Sequence, residues 1–337
     1  MSVARTRRIS PLRNARLRSI VLQAVVLAAV VGAAALLVRQ TQTNLAERGI
    51  ASGFGFLARE SSFDIGESPI PYSASSSYAR ALTVGLANTA KVAVLGLIGA
   101  SALGLAIGLA RLAPNRLLAR LASAWVETLR NVPLLLQLFF WYGAVTELLP
   151  GPREALAPLP GVFLCNRGLY FPVPTFGSAG GGLALSRPVL EGFNFAGGAS
   201  VSPELVTLVI GLVTYTSAFI AEIVRAGVLA VPRGQSEAAA ALGLSRLATL
   251  RLVVLPQALR LIVPPLTSQY LNLIKNSSLG VAVGYPELVS IANTTMNQTG
   301  QAVEGIAIVM ATYLAISLAL SALVGGWERS RAWVATR

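Results

Sequence analysis

Histidine is absent from this 337-residue chain, lysine occurs only as Lys91 and Lys275, and Cys165 is the single cysteine. Without histidine there is no HExxH zinc site, no Ser-His-Asp triad and no Cys-His dyad. One cysteine excludes an intrachain disulfide and any CxxC motif. Neither lysine completes GxxxxGK[ST], so the sequence has no P-loop to cradle a nucleotide. If ATP drives this protein, another chain must hydrolyse it. Charge is scarce too, at 12% of residues against 54% hydrophobic, which lies outside the range of soluble globular domains.

What charge there is leans positive, with 27 basic against 14 acidic side chains. The arginines cluster beside apolar segments, as the positive-inside rule expects, and no basic stripe interleaves with aromatics, so a nucleic-acid partner is not indicated. Residues 1–18 carry six arginines and no acid, and an uncharged run of 20 residues follows from Ser19 to Val38. That run is long enough to span a bilayer and longer than a usual signal core, which favours a retained anchor over a cleaved signal peptide marked by Ala33-Ala34-Ala35. Residues 41–79 read as an extracytoplasmic connection with little regular structure.

Five further spans are predicted, at about Leu82–Ala110, Leu121–Leu148, Pro203–Val224, Pro256–Ile274 and Ala302–Val324. The Pro- and Gly-rich insert 149–202 reads as an outside loop with room for a short helix, and Pro264-Pro265 predicts a bent or broken fifth span. Six spans place both termini on one side. The basic stretches 1–18, 111–120, 225–260 and 326–337 then share that side, with Trp327 as an interface anchor ahead of the tail 327–337. Gly96, Gly99, Gly104 and Gly108 let the second span approach its neighbours closely. The expected fold class is an all-α polytopic bundle, with residues 80–326 as its core.

A polar interruption at 229–256 separates two of these spans. Gln235–Leu242 reads as one to two turns of helix, with Ser236 as N-cap, Glu237 in the first turn and Gly243 as a left-handed stop. Its alanines leave a narrow rod that fits another protein's groove; a plain cytoplasmic surface helix is the alternative.

Charges inside spans are functional candidates. Glu127 and Arg130 are spaced i, i+3 and can pair on one helix face. Arg130 lies ten residues past Arg120, about 15 Å along a helix, and Gln137 lies two turns further. An arginine fork beside a carboxylate complements both charges of an amino acid, while a structural pair that snorkels inward is the alternative. Glu222 and Arg225 repeat the spacing just before Pro232 and read as a brace for the polar interruption. Asn276, Ser277 and Ser278 end the fifth span, where unwound backbone lines a cavity in many transporters. Asn88 and Thr89 can face the same space, or act as glue between helices.

Glu237-Ala238-Ala239, three residues, Gly243, nine residues, then Val253-Val-Leu-Pro256 resembles the EAA coupling motif of ABC importer permeases, with Val253 where the motif has isoleucine. Gly85-Leu-Ala-Asn-Thr89, Glu127-Thr-Leu-Arg-Asn-Val-Pro-Leu-Leu-Leu-Gln137, Ala221-Glu-Ile-Val-Arg-Ala-Gly227 and Leu273-Ile-Lys-Asn-Ser-Ser-Leu279 resemble the polar amino acid uptake branch. Ser61-Ser-Phe-Asp-Ile-Gly66, Tyr285-Pro286 and Asn297-Gln-Thr-Gly300 are similar to its general L-amino-acid and glutamate/glutamine/aspartate/asparagine subgroup.

The resemblance covers residues 54–325 and implies a type I importer permease with five core helices plus the first anchor, in a bacterial inner membrane. It implies a dimer of ATPase subunits that binds ATP and Mg, a second permease of similar or identical sequence, and a periplasmic amino-acid-binding protein. It leaves this chain with no cofactor and no catalytic residue. Substrate contact is expected at Glu127, Arg130, Gln137, Asn88, Thr89, Asn276, Ser277 and Ser278. ATPase coupling is expected at Glu237, Ala238, Ala239, Gly243 and Pro256. A stand-alone channel, secondary transporter or membrane-embedded enzyme is the rival reading; the missing histidine and the coupling-type loop argue against it.

Overall fold

A computed structural model describes residues 15–47, 49, 52–176 and 183–334; the first fourteen residues, Gly180–Gly182 and the end of the basic tail lie outside these, as does the Trp327 side chain. Helix α1 (Ala15–Glu47) is followed by a short 3-10 turn at Phe54–Ala58, then α2 (Tyr78–Ala110), α3 (Arg116–Asn131) and α4 (Leu134–Gly143), which a π turn extends to Leu148. Eight strands come next. The helices α5 (Pro203–Leu229), α6 (Arg233–Ala241), α7 (Arg246–Thr249), α8 (Leu255–Asn276), α9 (Leu288–Thr299) and α10 (Ala302–Val334) complete the chain. Among the described residues, five helices are long and apolar enough to cross a membrane, and Leu134–Leu148 is a shorter apolar helix.

Glycines bring α2 and α5 together. A Cβ on Gly99 would lie 2.7 Å from Val213, on Gly104 2.6 Å from Ile220, and on Gly108 2.8 Å from Val224. Both numberings rise together, so the two helices run parallel. In α8 the order reverses: Gly96 meets Leu273 and Gly227 meets Ile262, so α8 is antiparallel to both. Helices α3 and α4 also run antiparallel to α5, since Val126 packs with Ala218 and Ala221 while Leu138 packs at Gly211. One end of the bundle therefore gathers the starts of α2 and α5. The other gathers the 111–115 turn and the 230–254 segment.

Three expectations need correction. The third span is not one helix: it breaks at Val132-Pro133 between α3 and α4, because proline cannot supply the next helical N–H. The Pro264-Pro265 pair does not break the fifth span, as α8 runs through both and the helix tightens to 3-10 only at Ser277–Val283. The insert 149–202 is not a loop with a short helix. Its strands β1 (Leu156–Leu159), β2 (Val162–Cys165), β3 (Gly168–Phe171) and β8 (Ala199–Val201) form an antiparallel sheet in that order. Two hairpins, β4 (Val173–Phe176) with β5 (Leu183–Ser186) and β6 (Val189–Glu191) with β7 (Asn194–Ala196), lie between them. Hydrogen-bond pairing between segments satisfies backbone groups that the many glycines and prolines prevent from forming helix.

Candidate functional site

Helix α6 begins after Pro232, where the Gln235 N–H donates to the Pro232 carbonyl at 3.0 Å. The helix thus starts earlier than Ser236, which sits inside it and caps nothing, and Glu237 falls beyond the first turn. Proline fits this start because its missing N–H would be unpaired there in any case. The stop is where the sequence predicts it. Gly243 has φ +78°, and the N–H groups of Gly243 and Leu244 close back on the carbonyls of Ala240 and Ala239. Glu237, Ala238, Gly243 and Pro256 are exposed while Ala239 is buried. Leu242 is 82% exposed and Leu247 74%, leaving an apolar edge beside the alanines with nothing from this chain covering it.

Glu222 on α5 pairs with Arg225 at 2.7 Å and with Arg111 at the end of α2. Arg111 also donates through Nε to Ser123 Oγ on α3 at 3.3 Å. The brace is therefore wider than the i, i+3 pair alone: it joins α2, α3 and α5 at the end of the bundle that carries α6.

Glu127 and Arg130 do not pair. Both are exposed, and Arg130 lies instead over the Phe219 ring at 5.1 Å, a cation–π contact. Gln137 is buried and does not point at a shared charge site. Its Nε2 donates to the carbonyls of Leu129 at 2.8 Å and Val132 at 3.0 Å, across the break in the third span.

At the other end, Asn88 and Thr89 come together with the turn before α9. Asn88 Nδ2 donates to the carbonyls of Pro286 and Glu67, and the Leu288 N–H donates to Thr89 Oγ1 at 3.1 Å. Gly85 permits this approach, since a Cβ there would lie 2.9 Å from Leu288 Cα. Ser277 is buried in the same region: the Tyr313 hydroxyl interacts with Ser277 and Thr89 and donates to Glu287 Oε2 at 3.3 Å. The Ser278 hydroxyl folds back on the Lys275 carbonyl, and Asn276 is half-buried at the end of α8. Asn88, Thr89 and Ser277 thus form one polar layer, which Glu127, Arg130 and Gln137 do not join.

Among proteins of known type, the family described as the binding-protein-dependent transport system inner membrane component matches residues 100–330. The chain belongs to this family. A putative amino-acid ABC transporter permease of Escherichia coli K12, YhdX, is 45% identical over 87% of this chain and 88% of its own length. The general L-amino acid transport system permease AapQ of Rhizobium johnstonii is 42% identical over 88% of the chain and 87% of its own length. Among solved structures, an amino acid ABC transporter with histidines matches with a TM-score of 0.56 and 25% identity, covering 75% of this chain and 95% of its own. The MetNI methionine ABC transporter, inward-facing, matches with a TM-score of 0.50 at 19% identity and supports the fold alone.

Within this inner membrane component, sequence reasoning missed two residues. Arg111 looked like one of several loop arginines, and only the fold sets it against Glu222. Glu287 is fully buried in the turn between two spans, where its carboxylate accepts the N–H groups of Val289 and Ser290 at 2.9 and 2.8 Å and so caps α9. Burial pushes its carboxyl up to about 7. The only sequence signal was an acid after Tyr285-Pro286.

Proposed function

We propose that this chain is the transmembrane permease subunit of an ATP-binding cassette importer that carries polar L-amino acids. The observation that carries the reading is α6, a short helix ended by Gly243 that presents exposed alanines and leucines at one end of the bundle. Relatives named as amino-acid permeases support the cargo class. In this reading the fold is a type I importer permease crossing the inner membrane six times, with α3 and α4 together forming the third crossing. Both termini and α6 then lie in the cytoplasm, and the insert 149–202 lies in the periplasm.

ATP and Mg are bound by a separate dimer of ATPase subunits, whose grooves receive α6. A second permease, similar or identical, completes the membrane unit, and a periplasmic binding protein delivers the amino acid. The bundle then alternates between outward- and inward-open arrangements, with the Glu222 cluster passing movement of the coupling end into α2, α3 and α5. The test is uptake into proteoliposomes holding this chain, its partner permease and the ATPase, with binding protein added outside. Uptake of L-glutamate, L-glutamine, L-aspartate or L-asparagine that requires ATP is the expected result. Flux that proceeds without ATP or ATPase overturns the reading.

A further inference from the structure

The Ser61–Gly66 motif and the residue after it form one wall of a cleft of about 460 Å³ at the end of the bundle opposite α6. The start of α5 and the 284–294 segment form the other walls, a size in the usual range of small-molecule sites. Asp64, Glu67 and Glu204 line it, together with the hydroxyls of Ser290 and Thr294. Only Glu67 is neutralised: its carboxylate accepts Lys91 Nζ at 2.5 Å and Ser202 Oγ at 2.6 Å. Asp64 and Glu204 have no ion pair among the described residues, so the cleft carries uncompensated negative charge.

Two buried polar groups stand directly behind it. Asn88, fully buried, holds the backbone carbonyls of Glu67 and Pro286, both in the cleft wall, yet its Oδ1 has no partner. Tyr285 lies between the wall residues Gly284 and Pro286, is fully buried, and its hydroxyl is also unpartnered. Burial raises its pKa above the ordinary phenol value, and the nearby charges of Glu67 and Glu287 add to this. Unsatisfied buried groups are rare and call for a partner. A carbonyl oxygen and a hydroxyl are both acceptors for an ammonium, and both continue the line from the cleft inward.

We propose that this cleft is an entry station for the α-ammonium group of a free amino acid, held by Asp64, Glu67 and Glu204 before it passes to Asn88 Oδ1 and the Tyr285 hydroxyl. Lys91, released from Glu67 when the ammonium arrives, is placed to meet the ligand's carboxylate. The inference rests on the transport reading for the identity of the ligand, and the cleft can be tested without ATP.

The experiment uses the purified permease complex carrying Ser290→Cys, with the wild-type chain as background because Cys165 is fully buried. Labelling by a cationic thiosulfonate should exceed that by an anionic one of similar size by about tenfold, as charged clefts concentrate counter-ions. L-Glutamine should slow labelling several-fold, while its 2-hydroxy counterpart, which lacks the ammonium, should not. Asp64→Asn with Glu204→Gln should reduce both the charge preference and the protection.

Equal protection by the 2-hydroxy compound, or none by the amino acid, overturns the proposal. So does protection by ligand-free binding protein alone, which makes the cleft a protein-docking surface. A complex that shows this protection but no ATP-dependent uptake sinks the transport reading and leaves the ammonium site standing.

Discussion

The side-chain amide of Gln137 donates to the Leu129 carbonyl at 2.8 Å, replacing the hydrogen bond that Pro133 cannot make. In an unbroken helix the Leu129 carbonyl would accept the N–H four residues on, and that residue is proline. Gln137 thus holds α3 and α4 as one bent crossing.

Gln137→Leu keeps the volume and removes the donor, leaving the carbonyls of Leu129 and Val132 without this partner. An unpaired buried polar group costs about 1–3 kcal/mol. The expected outcome is a lower melting temperature of the purified complex with the half-saturating concentration for uptake unchanged. A raised half-saturation with intact stability would return Gln137 to the cargo site.

The Arg111–Glu222–Arg225 cluster predicts unequal effects of removing its members. Glu222→Ala leaves two arginines facing each other, whereas Arg225→Ala leaves the Arg111–Glu222 pair intact. Like charges at close range repel, and breaking a partly buried pair leaves a charge uncompensated. Thermal unfolding should therefore show Glu222→Ala well below Arg225→Ala, by about 1–3 kcal/mol. Partial recovery in Glu222→Ala with Arg111→Ala would confirm that repulsion is the cause.

The spans were legible because long apolar runs report their own environment, and Gly96, Gly99, Gly104 and Gly108 marked the face that meets α5 and α8. The end of α6 was legible because left-handed backbone favours glycine at Gly243. Its start was not, since serine is a frequent cap and nothing local reveals that Pro232 already initiates the helix. The insert was opaque for another reason. Strands of three or four residues are too short for a period-2 pattern to stand out, and Pro158 inside β1 argues against a strand unless that strand lies at a sheet edge, which it does. The Glu127–Arg130 reading failed because spacing permits a pair without requiring it, and Phe219 offers the guanidinium a competing surface.

Glu287 predicts a pH dependence. Its carboxyl is raised to about 7 by burial, so the folded chain holds the proton more tightly than the unfolded one. The stability this contributes is fully present below the ordinary value of 4.5 and is lost as pH rises through about 7. The wild-type complex should melt at progressively lower temperature between pH 5 and pH 8. In Glu287→Gln that slope should flatten, and an equally steep slope in the variant would assign the dependence to another group.

Gly243→Val tests the coupling helix at its firmest geometric point. The left-handed φ of +78° disfavours any side chain, and a β-branched one most of all, at about 1–2 kcal/mol. No atom outside its immediate neighbours lies within 4 Å of the position where a Cβ would sit, so the cost comes from the backbone and not from a clash. The last turn of α6 should therefore fray while the spans stay folded. Uptake should fall steeply and the ATPase should co-purify less well, with the melting temperature of the membrane bundle nearly unchanged. Gly243→Asn, which tolerates left-handed backbone better, should recover part of the uptake. If valine and asparagine impair uptake equally, the position matters for contact with the partner and not for ending the helix.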